Sequence, residues 1–234
     1  MNLLKKIKSD EILNTISENF DEEIYLVGGA VRDWIMGKTT CDRDLIVCGT
    51  DIEKFVRKLA DSFEGTLITL DEDNKIYRIV MQDKINYLDI TIPVENSLEK
   101  DLKRRDLTIN SIAINLKSGE ITDINNGFHD IKNGIIRIID ENNLKDDPLR
   151  LLRIFRFTAT TGFDIDTATL NAAKDNCQLI NKPAKERIIY EIMKLFDGKY
   201  SDKAILKCDE CGLLREIFPF VDELHKVPKH SMIR

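Results

Sequence analysis

The sequence predicts an α+β protein in which a mixed sheet with helices is followed by an all-α remainder. Two observations carry this. Up to residue 92, short β-rich runs separated by Asp- and Asn-rich turns alternate with short helical stretches; from about Asp140 onward only helical periodicity remains. Composition sets the frame: 234 residues, 42% apolar and 32% charged, with 11 Gly and 5 Pro, suit a packed core and exclude a fibre or a disordered scaffold. The boundary is placed near 139, giving regions 1–139 and 140–234.

The elements follow in order. Ser9 is read as the cap of an opening helix over 9–20, with Ile12, Leu13, Ile16 and Phe20 on one face. Ile24-Tyr25-Leu26-Val27 is a strand that runs into Gly28-Gly29, and Ala30 to Met36 is helical and stops at Gly37. Leu45-Ile46-Val47 is a second strand, and Asp51 caps a helix carrying Ile52, Phe55, Val56 and Leu59. Thr66–Leu70, Ile76–Met81 and Asn86–Ile92 complete the β-rich set, which Pro93 closes. Helices are expected over 147–160, 167–177, 184–196 and 202–214, with caps at Asp166 and Ser201 and breaks at Gly162, Pro183 and Gly198.

Charge and cysteines narrow the class. With 35 basic against 41 acidic residues the net charge is −6, which argues against a generic polyanion binder, so any positive charge that matters is local. Five scattered cysteines in a chain this long do not form a disulfide framework, and the single Cys208-Asp209-Glu210-Cys211 reads as two thiols on a helix. No apolar run approaches the ~18 residues of a membrane helix, and the opening Met1-Asn2-Leu3-Leu4 is too short for a signal peptide; a cytoplasmic protein is expected.

The chemistry concentrates in a few places. Asp42-Arg43-Asp44 enters a strand, where residues i and i+2 share a face, so both carboxylates point the same way. Two like charges held so close invite a cation, and oxygen ligands of this kind suit Mg²⁺. A bare D-x-D is more often a solvated acidic turn; what stands upstream changes the balance. Gly28-Gly29 forms a strand-to-helix turn where bare backbone can approach a phosphate, and Arg32 adds a charged fork. A third acid, Asp89, stands among apolar neighbours in Tyr87-Leu88-Asp89-Ile90. Three acids holding metal suit activation of a hydroxyl and stabilisation of a leaving pyrophosphate. Farther on, Arg153 and Arg156 have no acid at i±3 or i±4 on a helix with little solvent face, so an anionic ligand is their natural partner, the alternative being acids from elsewhere in the fold.

Four motifs occur in order: Leu26-Val27-Gly28-Gly29-Ala30-Val31-Arg32-Asp33, then Asp42-Arg43-Asp44, then Arg104-Arg105-Asp106-Leu107-Thr108-Ile109-Asn110, then Asp147-Pro148-Leu149-Arg150 with Arg153 and Arg156-Phe157. Together they resemble the class II tRNA nucleotidyltransferases (CCA-adding enzymes) and the related bacterial poly(A) polymerases, over the head and neck of those proteins. The resemblance implies a polymerase β-like nucleotidyltransferase head and a helical neck. It implies that Asp42 and Asp44 hold catalytic Mg²⁺ with Asp89 as a third catalytic carboxylate, and that Gly29, Arg32 and Arg105 hold the triphosphate. It further implies that Asp147 and Arg150 read the base, that Arg153 and Arg156 add nucleotide contacts, and that Glu186 to Glu191 is a structural neck motif. The implied substrates are CTP and ATP and the 3′ end of tRNA, with CMP, or CMP and AMP, added and pyrophosphate released.

Three departures qualify this expectation. Only fourteen residues separate Asp89 from Arg104, where many CCA-adding members have a longer flexible loop; the short form leans toward CC addition. The sequence stops at Arg234, soon after the neck helices, which suggests a chain lacking the body and tail that grip tRNA. Asp146 stands where relatives often have Glu. The alternatives are a poly(A) polymerase and a nucleotide- or RNA-binding module without turnover. His129-Asp130 lacks the further histidines at the spacing an HD phosphohydrolase needs.

Overall fold

A computed structural model describes residues 3–224. The chain divides into two compact units, residues 1–133 and 134–234. The sequence places the boundary near 139; in the structure Ile135–Ile136 pairs with Asp164–Ile165, which assigns the intervening residues to the second unit.

The first unit opens with two helices, α1 (Leu3–Ser9) and α2 (Glu11–Asn19), where the sequence predicts one. The cap is Asp10 and not Ser9: its carboxylate accepts from Leu13 N, which ends α1 and starts α2 on a new axis. Leu13, Ile16 and Phe20 are buried as expected, whereas Ile12 is only half-buried. A seven-stranded sheet follows, β1 (Glu23–Val27), β2 (Asp44–Cys48), β3 (Thr66–Asp71), β4 (Ile76–Val80), β5 (Tyr87–Thr91), β6 (Ala113–Asn115) and β7 (Ile121–Thr122), in the order β3-β4-β5-β2-β1-β6-β7. The β2–β5 pair is parallel and its neighbours are antiparallel, so the sheet is mixed as predicted. Helices α3 (Gly29–Ile35), α4 (Ile52–Ser62), α5 (Leu98–Lys103) and α6 (Gly127–Asn133) complete the unit. Asp51 caps α4, accepting from Glu53 N and Lys54 N, and Phe55, Val56 and Leu59 are buried.

The core lies under β1 and β2, whose Leu26, Leu45, Ile46 and Val47 are almost wholly buried. Such continuously apolar strands are covered on both faces. These buried strands lead directly to the glycine turn and the acids, because β1 ends at Val27, just before Gly28, and β2 begins at Asp44.

The second unit is helical apart from the two-stranded pair β8 (Ile135–Ile136) and β9 (Asp164–Ile165). Its helices are α7 (Asn142–Asp146), α8 (Leu149–Thr161), α9 (Thr167–Asp175), α10 (Lys185–Phe196), α11 (Ser201–Glu210), α12 (Leu213–Ile217) and α13 (Val221–Leu224). α8 is central, packing against α10 and α11, and Leu151, Leu152, Ile154 and Phe155 are buried. It ends at Gly162, whose φ of +78° only glycine adopts cheaply. Asp166 caps α9 as expected; Ser201 does not cap α11, which begins after Tyr200 without a side-chain cap. Cys208 and Cys211 are buried thiols at the end of α11. Among the described residues, no helix is long and apolar enough to cross a membrane.

Candidate active site

The acidic cluster is built by sheet register. β2 starts at Asp44, which lies opposite Asp89 in the parallel pairing with β5, and Asp89 lies opposite Arg78 in the antiparallel pairing with β4. Arg78, Asp89 and Asp44 therefore form a row across three adjacent strands. Arg78 forks Asp89, donating from Nε to Oδ1 and from Nη2 to Oδ2, each at 2.7 Å. The same guanidinium lies over the Tyr87 ring, 4.2 Å from its centroid. The Tyr87 hydroxyl donates to Asp42 Oδ1 at 2.8 Å, and this bond to a carboxylate pushes the phenol up to about 12. Asp42 is exposed, with its backbone N–H donating to Thr40 Oγ1 at 3.1 Å.

Asp44 is the tense member. Burial, then the charge of Asp89, raise its pKa to about 6, against the opposing pull of Arg105. A carboxylate held that far above its ordinary value gains most from a cation placed beside it.

The glycine turn is packed onto this acid. Gly28 has φ +73°, and a Cβ there would stand 3.1 Å from Asp44 Oδ2 and 3.4 Å from Arg105 Nη1. Any other residue would combine backbone strain with a clash against the acid. α3 is only seven residues long, so positive charge near the turn comes from side chains more than from the helix dipole. Arg32 donates from Nη1 to Asn110 Oδ1 at 2.8 Å and pairs with Asp33 at 2.8 Å. Arg105 pairs with the buried Asp101 at 3.1 Å and donates from Nη1 to Asn110 O at 3.3 Å. Asn110 thus joins Arg32 to Arg105, and its own amide donates to Asp106 Oδ1 at 3.1 Å. Gly29 has room: a Cβ would find nothing nearer than Arg32 Nη2 at 3.5 Å.

In the second unit, Asp147 precedes α8, and its carboxylate accepts from Leu149 N at 3.3 Å and faces Arg187 at 3.5 Å. Arg150 donates from Nη1 to Asn143 O at 2.9 Å, which holds its stem along α7. Arg153 and Arg156 have an acid from elsewhere in the fold beside them, the alternative that the sequence leaves open. Glu191 of α10, with a side chain 8% exposed, stands 3.1 Å from Arg156 Nε and 3.7 Å from Arg153 Nη1. Both guanidinium groups also lie near the Phe157 ring, at 5.3 and 4.3 Å from its centroid.

Arg78, Tyr87, Asn110 and Glu191 were not singled out by sequence. Asn110 and Glu191 lie inside quoted motifs and could have been found there. Tyr87 lies two residues before Asp89 on the same strand, so alternation puts it on the acid's face; Arg78 carries no local signal, because strand register alone brings it to Asp89.

The donor set fits a hard divalent cation. Asp44 opens β2, whereas Asp42, expected on the same strand, falls in the loop two residues before it; Mg²⁺ is commonly held by one or two carboxylates with water and phosphate oxygens completing the shell. Among the described residues no group of three or more His, Cys, Asp or Glu is arranged as a metal cage.

A glycine turn, a carboxylate pair at the entry to a strand and flanking arginines on a mixed sheet, followed by a helical unit, define a class: the polymerase-type nucleotidyltransferase head and neck, whose members use a divalent metal. Residues 24–137 match the family described as the poly A polymerase head domain, and residues 162–224 match the one described as the probable RNA and SrmB-binding site of polymerase A. The chain belongs to the family of tRNA nucleotidyltransferases and poly(A) polymerases. It is 39% identical over 187 residues to the CCA-adding enzyme of Ligilactobacillus salivarius, covering 76% of this chain and 46% of that one. With the CCA-adding enzyme of Lactobacillus helveticus it shares 34% over 209 residues, 85% of this chain and 52% of that one. The solved Thermotoga maritima CCA-adding enzyme complexed with tRNA superposes with a TM-score of 0.83 at 28% identity, over 93% of this chain and 55% of that one. A CCA-adding enzyme in complex with CTP gives 0.82 at 27% identity, over 92% and 55%. The chain spans about half the length of these relatives.

Proposed function

We propose that this chain carries the head and neck of a cytoplasmic, Mg²⁺-dependent tRNA nucleotidyltransferase that transfers CMP, or CMP and AMP, from CTP and ATP to the 3′ end of tRNA without a nucleic-acid template. The observation that carries it is Asp44 at the start of β2, packed against the Gly28 turn with Asp42 just before it in the loop, in a chain whose relatives are CCA-adding enzymes. In the transfer, the tRNA 3′-oxygen forms a bond to the α-phosphorus as the bond from that phosphorus to the β-phosphate oxygen breaks; pyrophosphate leaves and the hydroxyl proton passes to solvent. Bound Mg²⁺ supplies the charge that favours the attacking alkoxide and the leaving pyrophosphate.

The residues divide the remaining work. Asp42 and Asp44 hold the metal, with Asp89 behind them as a third carboxylate whose orientation Arg78 fixes. Gly29 leaves backbone open to the triphosphate, while Arg32 and Arg105 neutralise it, held together by Asn110. In the second unit Asp147 accepts from the exocyclic amine of cytosine or adenine and Arg150 donates to the neighbouring ring acceptors; uracil and guanine would present a carbonyl to the carboxylate. A good bidentate contact discriminates by about 1–3 kcal/mol. Arg153 and Arg156 add positive charge anchored by Glu191.

The test is incorporation of radiolabelled CTP and ATP, singly and together, into tRNA lacking its 3′ end. Added C, or C then A, is the expected product. No incorporation with Mg²⁺ overturns the reading, and long A-tails on arbitrary RNA with CTP ignored would replace it with a poly(A) polymerase. CTP binding without product would instead mark a module without turnover. The short stretch between Asp89 and Arg104, where α5 stands in place of a long loop, favours CC addition.

A further inference from the structure

Arg43 lies between the two candidate metal acids in sequence, in the loop that enters β2. Its side chain is 11% exposed. Its Nε donates to both oxygens of Asp10, at 3.2 and 3.0 Å, and its Nη2 stands 2.9 Å from Asp10 Oδ2. Its Nη1 donates to Cys41 O at 3.1 Å and to Asn86 Oδ1 at 3.0 Å. One planar guanidinium thus ties three segments: the start of α2, the loop entering β2 and the turn entering β5.

Each of the three is itself fixed. Asp10 caps α2. Asn86 is held in its turn by Asp83, donating from its backbone N–H at 2.9 Å and from its side chain at 2.6 Å. The backbone carbonyl of Arg43 accepts from Asp89 N at 3.0 Å, so the same residue also registers the third acid. The first helices are anchored in turn, with Leu3, Ile7, Leu13 and Ile16 buried and Lys6 Nζ donating to Trp34 O at 3.0 Å at the end of α3. Asp10 lies ahead of residues 24–137, the stretch that matches the head family.

We propose that Asp10 and Arg43 are positioning residues: the N-terminal helix pair sets the geometry of the carboxylates at 42, 44 and 89 through this fork. The consequence for metal binding rests on the function proposed above; the consequence for backbone order does not. A lysine at 43 keeps the charge but reaches one partner where arginine reaches three. Asp10→Asn keeps a good helix cap while removing the charge that Arg43 forks, so it separates the clamp from the folding of α2.

The experiment compares the full chain with Asp10→Asn, Arg43→Lys and the double variant. Amide exchange at residues 40–44 needs neither metal nor nucleotide; it should quicken in each single variant, while exchange in β1 and α4 stays as it was. Mn²⁺ affinity, read by electron paramagnetic resonance, should fall by about 10-fold, in the range seen when groups supporting metal ligands are removed. Turnover should fall through kcat, with KM for CTP within about twofold. The double variant should be no worse than the worse single one, since both break one interaction. Unchanged exchange at 40–44 in folded single variants overturns the proposal. So does quickened exchange with Mn²⁺ affinity and kcat intact, which would make the fork purely structural. A wild-type chain that binds no Mn²⁺ would instead sink the metal assignment, and the exchange comparison would still decide the clamp.

Discussion

The two units solve opposite electrostatic problems with mirrored arrangements. In the first, strand-borne acids stand between arginines: Arg78 forks Asp89, and Arg105 approaches Asp44 across the Gly28 turn. In the second, two helix-borne arginines share one buried acid, Glu191. The head holds one acid under stress, Asp44, whose pKa is raised first by burial and then by the charge of Asp89. The neck compensates its arginines from inside. One unit holds an acid that burial and a neighbouring acid push up in pKa; the other sets a buried acid beside two arginines of one helix.

The largest expected effect breaks the head side of this comparison. Asp42→Asn should lower single-turnover CMP incorporation by about a thousandfold or more, the scale of losing a group that stabilises developing charge, while its melting temperature stays near wild type because Asp42 is exposed. Intact turnover would mean that the acids are not the metal site.

Next is the neck. Glu191→Ala leaves two half-buried guanidinium groups without their shared acid and should destabilise the protein by about 3 kcal/mol or more, read from denaturant unfolding. Arg156→Met combined with Glu191→Leu should recover part of that loss, since the more buried of the two guanidinium groups is removed together with the acid. A neutral Glu191→Ala would show that the arginines take their support elsewhere and would dissolve the mirror.

The pH dependence sharpens the contrast. Asp44 has a folded pKa of about 6 against an ordinary 3.8, so the folded state binds its proton more tightly than the unfolded chain does. Stability from this group is therefore complete below about pH 4 and is lost as pH rises to about 6, a cost on the order of 2–3 kcal/mol at neutral pH. Asp44→Asn should remove that slope and raise the neutral-pH melting temperature of the metal-free protein. Saturating Mg²⁺ should stabilise the wild type above pH 6 and leave the variant unmoved.

The smallest effect concerns the phenol. Tyr87→Phe removes one hydrogen bond to Asp42 and should weaken Mn²⁺ binding by a few-fold, on the order of 1 kcal/mol, by the same resonance measurement.

Much of the local structure of both units could be read in advance. Asp51 and Asp166 cap where expected, because capping is decided within three residues. Asp44 does open β2, but Asp42, read on the same strand, falls in the loop before it, so alternation alone does not set the pair. Partnerships set by packing were not visible. Arg78 reaches Asp89 through the register of β4 on β5, Glu191 reaches Arg153 and Arg156 through the packing of α10 on α8, and Asp10 reaches Arg43 across 33 positions of sequence. Ser9 lost the capping role to Asp10, which serves both the helix and the fork.

The sequence by itself determined the order of elements, the acid pair at the entry to a strand and the family, since periodicity, caps and motif spacing are properties of neighbouring residues. Only the tertiary structure decided which charges meet: that Asp89 is already engaged, that Asp44 is the acid under strain, and that Glu191 anchors the arginines of α8. The reason is physical. A charge's energy depends on its burial and on what stands within a few ångströms, and those are fixed by sheet register and helix packing between segments far apart in the chain.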